Sequence, residues 1–232
     1  MRARKNSRRI APPEIVDVTC EPHGDGGAAY YICPDQLSAR SVVYSFGVGS
    51  NISFDRSLID TFGLSVFAFD PTDESAKYVA SHPIGSNYSF RQVGLSAADG
   101  TIQLRTIKRA SRFYRPATVL EIKDREAPAV EVPARSLKSI MAELGHEFID
   151  ILKMDIEGGE LAVIEDLARS HIPAGQIVLE FHPHLVNLER SGHFFGAAGW
   201  DKTGRAIEQL LDNGYGVFHV SERGTDFSFI RT

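Results

Sequence analysis

The sequence has little of what several classes of protein require. With two cysteines in 232 residues it cannot carry a disulfide framework. No apolar run approaches the roughly 20 residues that cross a bilayer, and the basic segment 1–14 lacks the apolar core of a secretory signal. The formal charge of −5 is not the basic excess of a dedicated nucleic-acid binder. We therefore expect a cytoplasmic protein whose partners are neither nucleic acids nor membranes.

The composition is that of a globular protein, with 43% hydrophobic residues. We expect residues 1–14 to form a disordered basic tail and residues 15–232 to form a single domain. Short β-rich runs alternate with amphipathic helical patterns, and the last two runs predict a hairpin. This alternation predicts an α/β fold with a mostly parallel sheet and helices on both faces. The predicted buried strands are 41–46, 65–70, 87–95, 148–154 and 176–182. Residues 20–27 are expected to form a loop, and the helix after the second strand is expected to begin with Pro71.

Ligands of such sheets bind beyond the carboxyl ends of the strands. After the first strand, Gly47 and Gly49 would let the backbone approach a ligand, although a tight turn also explains them. Ile52 stands where a dinucleotide fingerprint needs glycine or alanine. Asp70 follows the second strand, where it would bind a ribose diol or cap a helix. Together these residues favour an adenosine-containing cofactor. Ser96, after the third strand, would lie near its adenine or simply in a polar turn.

Three carboxylates follow the fourth strand in "LKMDIEGGE". Glu160 is explained by the favourable position of a negative charge at a helix N-terminus. Asp155 and Glu157 are not, because two carboxylates at a partly buried edge repel each other and lose solvation. They need a compensating cation, which could be a metal, Lys153, a sulfonium or a substrate amine.

His182 ends the fifth strand and is a candidate proton acceptor or metal ligand. His184, two residues later, is more simply a loop histidine. Two further segments are candidates for the pocket that binds the second substrate: the aromatic stretch 193–200 and the basic loop 105–116. A solvated loop is the simpler explanation for the basic segment.

Six motifs occur in an order that resembles a known family over roughly residues 40–185. They are "VVYSFGVGSNISFD", "VFAFDPT", "VGLSAADGTIQL", "VPARSLKSI", "IDILKMDIEGGELAVIEDL" and "IVLEFH". They resemble the FkbM-type S-adenosylmethionine-dependent methyltransferases. The most specific element is "LKMDIEGGE", followed by the pair Asp70-Pro71. Ser45 departs from the pattern, because the family usually has an acid at the end of the first strand.

The resemblance implies a class I methyltransferase fold with seven strands, the last of them antiparallel. It also implies methylation of a hydroxyl group on a small molecule or sugar. Because a hydroxyl is a poor nucleophile that needs a base or a metal, a divalent metal is a possible addition. We expect catalytic roles for Asp155, Glu157 and His182. We expect cofactor contacts from Ser45, Gly47, Gly49, Asn51, Asp70, Ser96 and Asp155. A nicotinamide-dependent oxidoreductase and a non-catalytic protein of the same fold remain alternatives.

Overall fold

The computed structural model describes residues 13–106, 117–118, 129–183 and 197–232. Its strands in chain order are β1 Glu21–His23, β2 Tyr30–Ile32, β3 Val42–Phe46, β4 Ser65–Phe69, β5 Tyr88–Arg91, β6 Gly94–Leu95, β7 Gly100–Thr106, β8 Ala117–Thr118, β9 Ala129–Arg135, β10 Ile149–Met154, β11 Ala174–Glu180, β12 Tyr215–Val220 and β13 Asp226–Arg231. Its α-helices are α1 Ser53–Phe62, α2 Asp73–Ser81, α3 Leu137–Leu144, α4 Glu160–Ser170 and α5 Ala197–Asp212.

Seven strands form one sheet in the order β12-β13-β11-β10-β3-β4-β5. The pairs from β11 to β5 are parallel, whereas β13 lies antiparallel to both β11 and β12. The chain therefore reverses its direction of winding between β3 and β10, which lie side by side at the centre. Such a reversal opens a crevice at the carboxyl ends of the two strands. The predicted α/β class, the seven strands and the antiparallel last strand are confirmed.

The sheet is buried on both faces, as helices on both sides require. Side chains of α3, α4 and α5 pack with Tyr44, Phe46 and Leu152 in one apolar cluster. Side chains of α1 and α2 pack with Val43 and Ile151 in another. Neighbouring positions on a strand thus serve opposite cores, which is the alternation of extended backbone.

Helix boundaries follow local chemistry. Gly63 and Gly145 end α1 and α3 in the left-handed conformation, with φ of 68° and 74°. The Ser136 side chain accepts a hydrogen bond from the Ser139 amide at the start of α3. For α2 the sequence pattern placed Pro71 at the helix start. The structure instead uses Thr72, whose hydroxyl accepts from the Ser75 amide.

The structure differs from the sequence-based expectation at two places. The predicted strand 87–95 divides after Arg91, and β6 pairs with β9 in a second sheet of order β6-β9-β7-β8. The segment 20–27, predicted as a loop, contains β1, which pairs with β2 as a hairpin. Both elements are too short for periodicity to reveal, since two or three residues show no alternation.

Several expectations fall on residues outside the described ranges: most of the basic tail 1–14, His184, nearly all of the basic loop 105–116 and much of the aromatic stretch 193–200. Within the described ranges, no helix has both the length and the apolar character needed to cross a membrane.

Gln176 on β11 joins the main sheet to the segment after the N-terminal hairpin. Its side chain is fully buried, accepts from the Cys33 amide at 2.7 Å and donates to the Cys33 carbonyl at 2.8 Å. Gln176→Ala leaves both peptide groups without these bonds. We expect it to lower the free energy of unfolding by about 2–4 kcal/mol. Urea unfolding measures this, with exposed Gln103→Ala as a control that stays within about 0.5 kcal/mol of the native protein. Equal losses of unfolding free energy in the two variants would contradict the stabilising role of the Gln176 hydrogen bonds.

Candidate functional site

The ends of β3 and β10 touch through a residue that has no side chain. Gly47 follows β3 with φ of 80°, and a Cβ atom there would lie 1.7 Å from the Asp155 carbonyl oxygen. The Gly47 amide donates to the Phe69 carbonyl at 3.0 Å, and the Asp155 amide donates to the Phe46 carbonyl at 3.1 Å. Three strand ends are thus joined at one point, and only glycine fits both the conformation and the space.

Asp70 ties the end of β4 to this glycine turn. Its Oδ2 accepts from the Gly49 amide at 3.0 Å, and its Oδ1 accepts from the amide and hydroxyl of Thr72 at 2.9 and 2.6 Å. The carboxylate is therefore held in place from both sides. Oδ2 has one of these three bonds, and a carboxylate oxygen can accept two. Capacity for a ligand hydroxyl therefore remains, beside the contacts that fix the turn.

The other expected cofactor residues lie in different surroundings. Asn51 prepares the start of α1, since its Oδ1 accepts from the Ser53 amide at 2.9 Å and its Nδ2 donates to Asp25 Oδ1 at 2.9 Å. Ser96 follows β6, and its amide donates to the Arg135 carbonyl in the second sheet. Ser45 is buried on the central strand. Of these three residues, Asn51 makes side-chain hydrogen bonds at the start of α1, the helix that follows the glycine turn.

A buried ammonium group and a buried carboxyl group lie beneath the turn. Lys153 on β10 donates from Nζ to the carbonyls of Phe46 and Gly47, at 3.1 and 2.6 Å. Asp55 on α1 is also buried. Burial raises the pKa of the Asp55 carboxyl group, while Lys153 and then the Ser45 hydroxyl oppose that rise. The Lys153 ammonium therefore donates hydrogen bonds to the carbonyls of the turn, and its charge favours the ionised form of the Asp55 carboxyl group.

This arrangement bears on two expectations. Lys153 was one of the candidate cations for Asp155 and Glu157, but its hydrogen bonds go to the glycine turn. Ser45, which stands in place of the acid usual in the family, has Asp55 beside it. Asp55 is a functional candidate that sequence reasoning missed. Its only signal was an acid in the first turn of an amphipathic helix, where a helix-terminus charge is the ordinary explanation.

Tyr30 on β2 closes the site from the N-terminal hairpin. Its hydroxyl donates to Asp155 Oδ2 at 3.5 Å, and Lys153 Nζ lies 5.5 Å from the centre of its ring. Burial raises the pKa of the Tyr30 hydroxyl well above its usual value, and the charge of Asp155 raises it further. Tyr30 therefore stays protonated as a donor to Asp155. The sequence contains no signal for this role, because β1 and β2 are so short.

His182, Asp155 and Glu157 meet where β10 and β11 end. His182 Nε2 lies 3.6 Å from both Asp155 Oδ1 and Glu157 Oε2. The side chain of His182 is 5% exposed, against 26% for Asp155 and 18% for Glu157, so the carboxylates face the open side. Glu157 has a φ of 51°, a left-handed value that turns the chain back toward the histidine. The structure thus brings the three expected catalytic residues together.

Glu160 was expected only to place a negative charge at the start of α4, but its side chain also makes several hydrogen bonds. It is almost fully buried, its Oε1 accepts from the Ile156 amide at 3.2 Å, and both its oxygens lie 3.1 Å from the Gly158 amide. Oε1 also lies 2.9 Å from His182 Nδ1. Glu160 therefore closes the loop between β10 and α4 and fixes the orientation of the imidazole ring.

The carboxylates at this edge strongly perturb one another. Burial raises the pKa of Glu157 to about 7, with His182 opposing and Asp155 adding to the rise. Burial likewise raises the pKa of Glu180 to about 7, and the charge of Asp155 contributes. For His182, burial acts to lower the pKa, but Glu160, Glu157 and Asp155 outweigh it and raise the pKa to about 10. Perturbed groups of this kind concentrate at functional sites.

The chain is similar to known proteins in its sequence. The family model described as "Methyltransferase FkbM domain" matches residues 14–217. The chain is similar to "Probable methyltransferase-like protein 24" of Homo sapiens, at 27% identity over 65% of this chain and 35% of that protein. The Rattus norvegicus protein of the same name matches at 28% identity over the same shares. The chain thus spans about a third of the length of these relatives.

A solved structure shows the same fold. The crystal structure of a fibrillarin/Nop5p complex matches with a TM-score of 0.50 and 11% identity, over 84% of this chain and 74% of that chain. At this identity the match concerns the fold alone.

Gly47→Ala tests the contact between the strand ends. A methyl group at this position meets the Asp155 carbonyl, and φ is positive. We expect the free energy of unfolding to fall by more than about 2 kcal/mol. Thermal and urea unfolding measure it, with Gly204→Ala as the control, because nothing lies near a Cβ atom at this helical glycine. A native-like Gly47→Ala protein would contradict the contact.

Lys153→Met tests the buried ammonium. It removes the donor to two carbonyls and the nearby positive charge that favours the ionised form of Asp55, so we expect a loss of about 2–4 kcal/mol in the free energy of unfolding. Adding Asp55→Asn should recover part of this loss if the ammonium also acts on the Asp55 carboxyl group. Exposed Lys202→Met is the matched control. Additive losses in the double variant would show that the two charges do not interact.

Proposed function

Because this chain belongs to the methyltransferase FkbM domain family, we propose that it transfers a methyl group from S-adenosylmethionine to a hydroxyl group of a small molecule or sugar. One observation carries the proposal. The glycine turn after β3, the carboxylate after β4 and the carboxylate after β10 lie together at the switch point of the sheet. This is where parallel α/β sheets bind their ligands.

The residues present fit the cofactor. Gly47 and Gly49 place no side chain at two positions of the turn, so that a ligand can approach the backbone there. Asp70 keeps accepting capacity on Oδ2 for a ribose hydroxyl, in the place where such folds bind the ribose. The glycine turn and Asp70 would hold S-adenosylmethionine, which would supply an electrophilic methyl group on a sulfonium. Lys153 stabilises the turn through the carbonyls of Phe46 and Gly47.

Asp155 is the group we assign to the acceptor hydroxyl. Its carboxylate is a quarter exposed and lies where β3 and β10 meet. A hydroxyl is a poor nucleophile at neutral pH and needs a proton acceptor. S-adenosylmethionine held at the glycine turn would supply the methyl group and leave as S-adenosylhomocysteine, and Asp155 would accept the proton of the acceptor hydroxyl. Tyr30, Glu157 and His182 keep this carboxylate in position.

The geometry does not favour either alternative function, the nicotinamide-dependent oxidoreductase or the non-catalytic protein. A nicotinamide-dependent oxidoreductase has no support from the family match, and Ile52 lies in the apolar core beneath the turn. The non-catalytic alternative depended on Ser45, and Asp55 places a carboxyl group beside that residue. We keep the cytoplasm as the proposed location, on the ground that Cys20 and Cys33 are both free thiols.

Calorimetry separates these possibilities. We expect S-adenosylhomocysteine to bind one site per chain and NAD not to bind. Asp70→Asn should weaken the binding of S-adenosylhomocysteine, because an amide group both removes charge and replaces one acceptor by a donor. Glu165→Gln, an exposed acid on α4, should leave it unchanged. Binding of NAD alone would contradict the proposed function.

Asp155→Asn tests the catalytic assignment. With labelled S-adenosylmethionine and a panel of hydroxylated sugars and phenols, we expect methyl transfer to fall about 100-fold or more. Binding of S-adenosylhomocysteine should persist. Full transfer by the variant would remove Asp155 from the role of proton acceptor.

A further inference from the structure

The arrangement of His182, Asp155 and Glu157 has a feature that methyl transfer by itself does not explain. Three ligand atoms, one from each residue, all lie within 4.8 Å of one another. The nitrogen comes from a buried imidazole, and the two oxygens come from carboxylates on the open side. We propose that these three residues bind one divalent first-row metal ion, with Glu160 as the residue that positions His182.

The spacing of the ligand atoms supports a metal. His182 Nε2 is 3.6 Å from each of the two carboxylate oxygens. Two atoms bound at about 2.1 Å to one tetrahedral or octahedral ion would be roughly 3.0–3.4 Å apart. A small inward movement of two partly exposed side chains therefore completes the ligand set.

The orientation of His182 is the second, independent observation. Glu160 Oε1 contacts Nδ1 at 2.9 Å, which directs Nε2 toward Asp155 and Glu157. Glu160 is itself held by the amides of Ile156 and Gly158. Histidine ligands of metals commonly use their second nitrogen in this way, with a carboxylate fixing the ring. The orientation of the His182 imidazole is therefore fixed in the absence of an ion.

The local charge also calls for a cation. Asp155 Oδ1 and Glu157 Oε2 each lie 3.6 Å from His182 Nε2, and Glu160 Oε1 lies 2.9 Å from His182 Nδ1. Lys153, two residues from Asp155, directs its ammonium to the carbonyls of the glycine turn instead. One imidazole ring therefore faces three carboxylates, and a divalent ion there would add positive charge beside them.

The ligand types narrow the identity of the ion. Carboxylate oxygens suit Mn²⁺ and Mg²⁺, whereas imidazole suits Zn²⁺ and Fe²⁺. A mixed set with two oxygens and one nitrogen fits Mn²⁺, Fe²⁺ or Zn²⁺ best. Binding of the ion does not depend on the proposed function. Its role does, because an ion here would bind the acceptor oxygen and make its proton easier to remove.

Electron paramagnetic resonance with Mn²⁺ tests the site on the full chain after treatment with a chelator. We expect one bound ion per chain. Asp155→Asn and Glu157→Gln should each weaken binding about 10-fold or more, and Glu160→Gln about 10–100-fold. Glu180→Gln is the matched control: it removes a neighbouring carboxylate outside the ligand set and should weaken binding much less. Melting temperatures of each variant in chelator separate loss of the site from loss of the fold.

Nitrogen coupling in the spin echo of bound Mn²⁺ tests the histidine directly. We expect coupling to one nitrogen nucleus in the native protein and in Glu180→Gln, and its loss in His182→Gln. Three results would overturn the site: no saturable binding at millimolar Mn²⁺, equal weakening by all the carboxylate variants, or bound ion without nitrogen coupling.

Calorimetry with S-adenosylhomocysteine, set beside the Mn²⁺ titration of the same protein, distinguishes the two proposals. A chain that binds S-adenosylhomocysteine but no Mn²⁺ would overturn the metal site alone. Metal binding without cofactor binding would overturn the proposed function alone.

Discussion

The structure depends on the contact between the ends of β3 and β10. Gly47 lies against the Asp155 carbonyl with no room for a Cβ atom, and the Lys153 ammonium binds the carbonyls of Phe46 and Gly47 beneath it. These two strands are neighbours at the point where the sheet reverses its winding. The contact therefore sets how far the glycine turn stands from the carboxylates of β10, and with it the distance between the two proposed substrates.

The charged side chains around this contact form two groups, one below the glycine turn and one at the open edge of the sheet. Below the turn, the Lys153 ammonium binds two carbonyls and opposes the burial-raised pKa of Asp55, so it does not reach the carboxylates of the open edge with a hydrogen bond. At the edge, Glu160 fixes His182, and His182 faces Asp155 and Glu157. The separation matters because each buried carboxylate needs its own partner. Ser45 stands on the central strand where the family usually has an acid. In this chain Asp55 of α1 supplies a carboxyl group near that position.

Much of this organisation was predictable from the sequence because it rests on periodicity and on residue types at strand ends. The seven-stranded sheet, its hairpin and the proximity of Asp155, Glu157 and His182 follow from alternating apolar runs that end in polar residues. Asp55 and Tyr30 could not be found in this way. Each reaches the site through tertiary packing, Asp55 from a helix and Tyr30 from a three-residue strand. The contact between Glu160 and His182 likewise joins residues 22 positions apart that no local pattern relates.

A crystal structure with S-adenosylhomocysteine tests the central claim most directly, because the claim is one of position. The account predicts that the ligand crosses the carboxyl ends of β3 and β4, with a ribose hydroxyl on Asp70 Oδ2. Its homocysteine sulfur should lie between the glycine turn and Asp155. Ligand bound elsewhere, or bound here with its sulfur directed away from Asp155, would contradict the account.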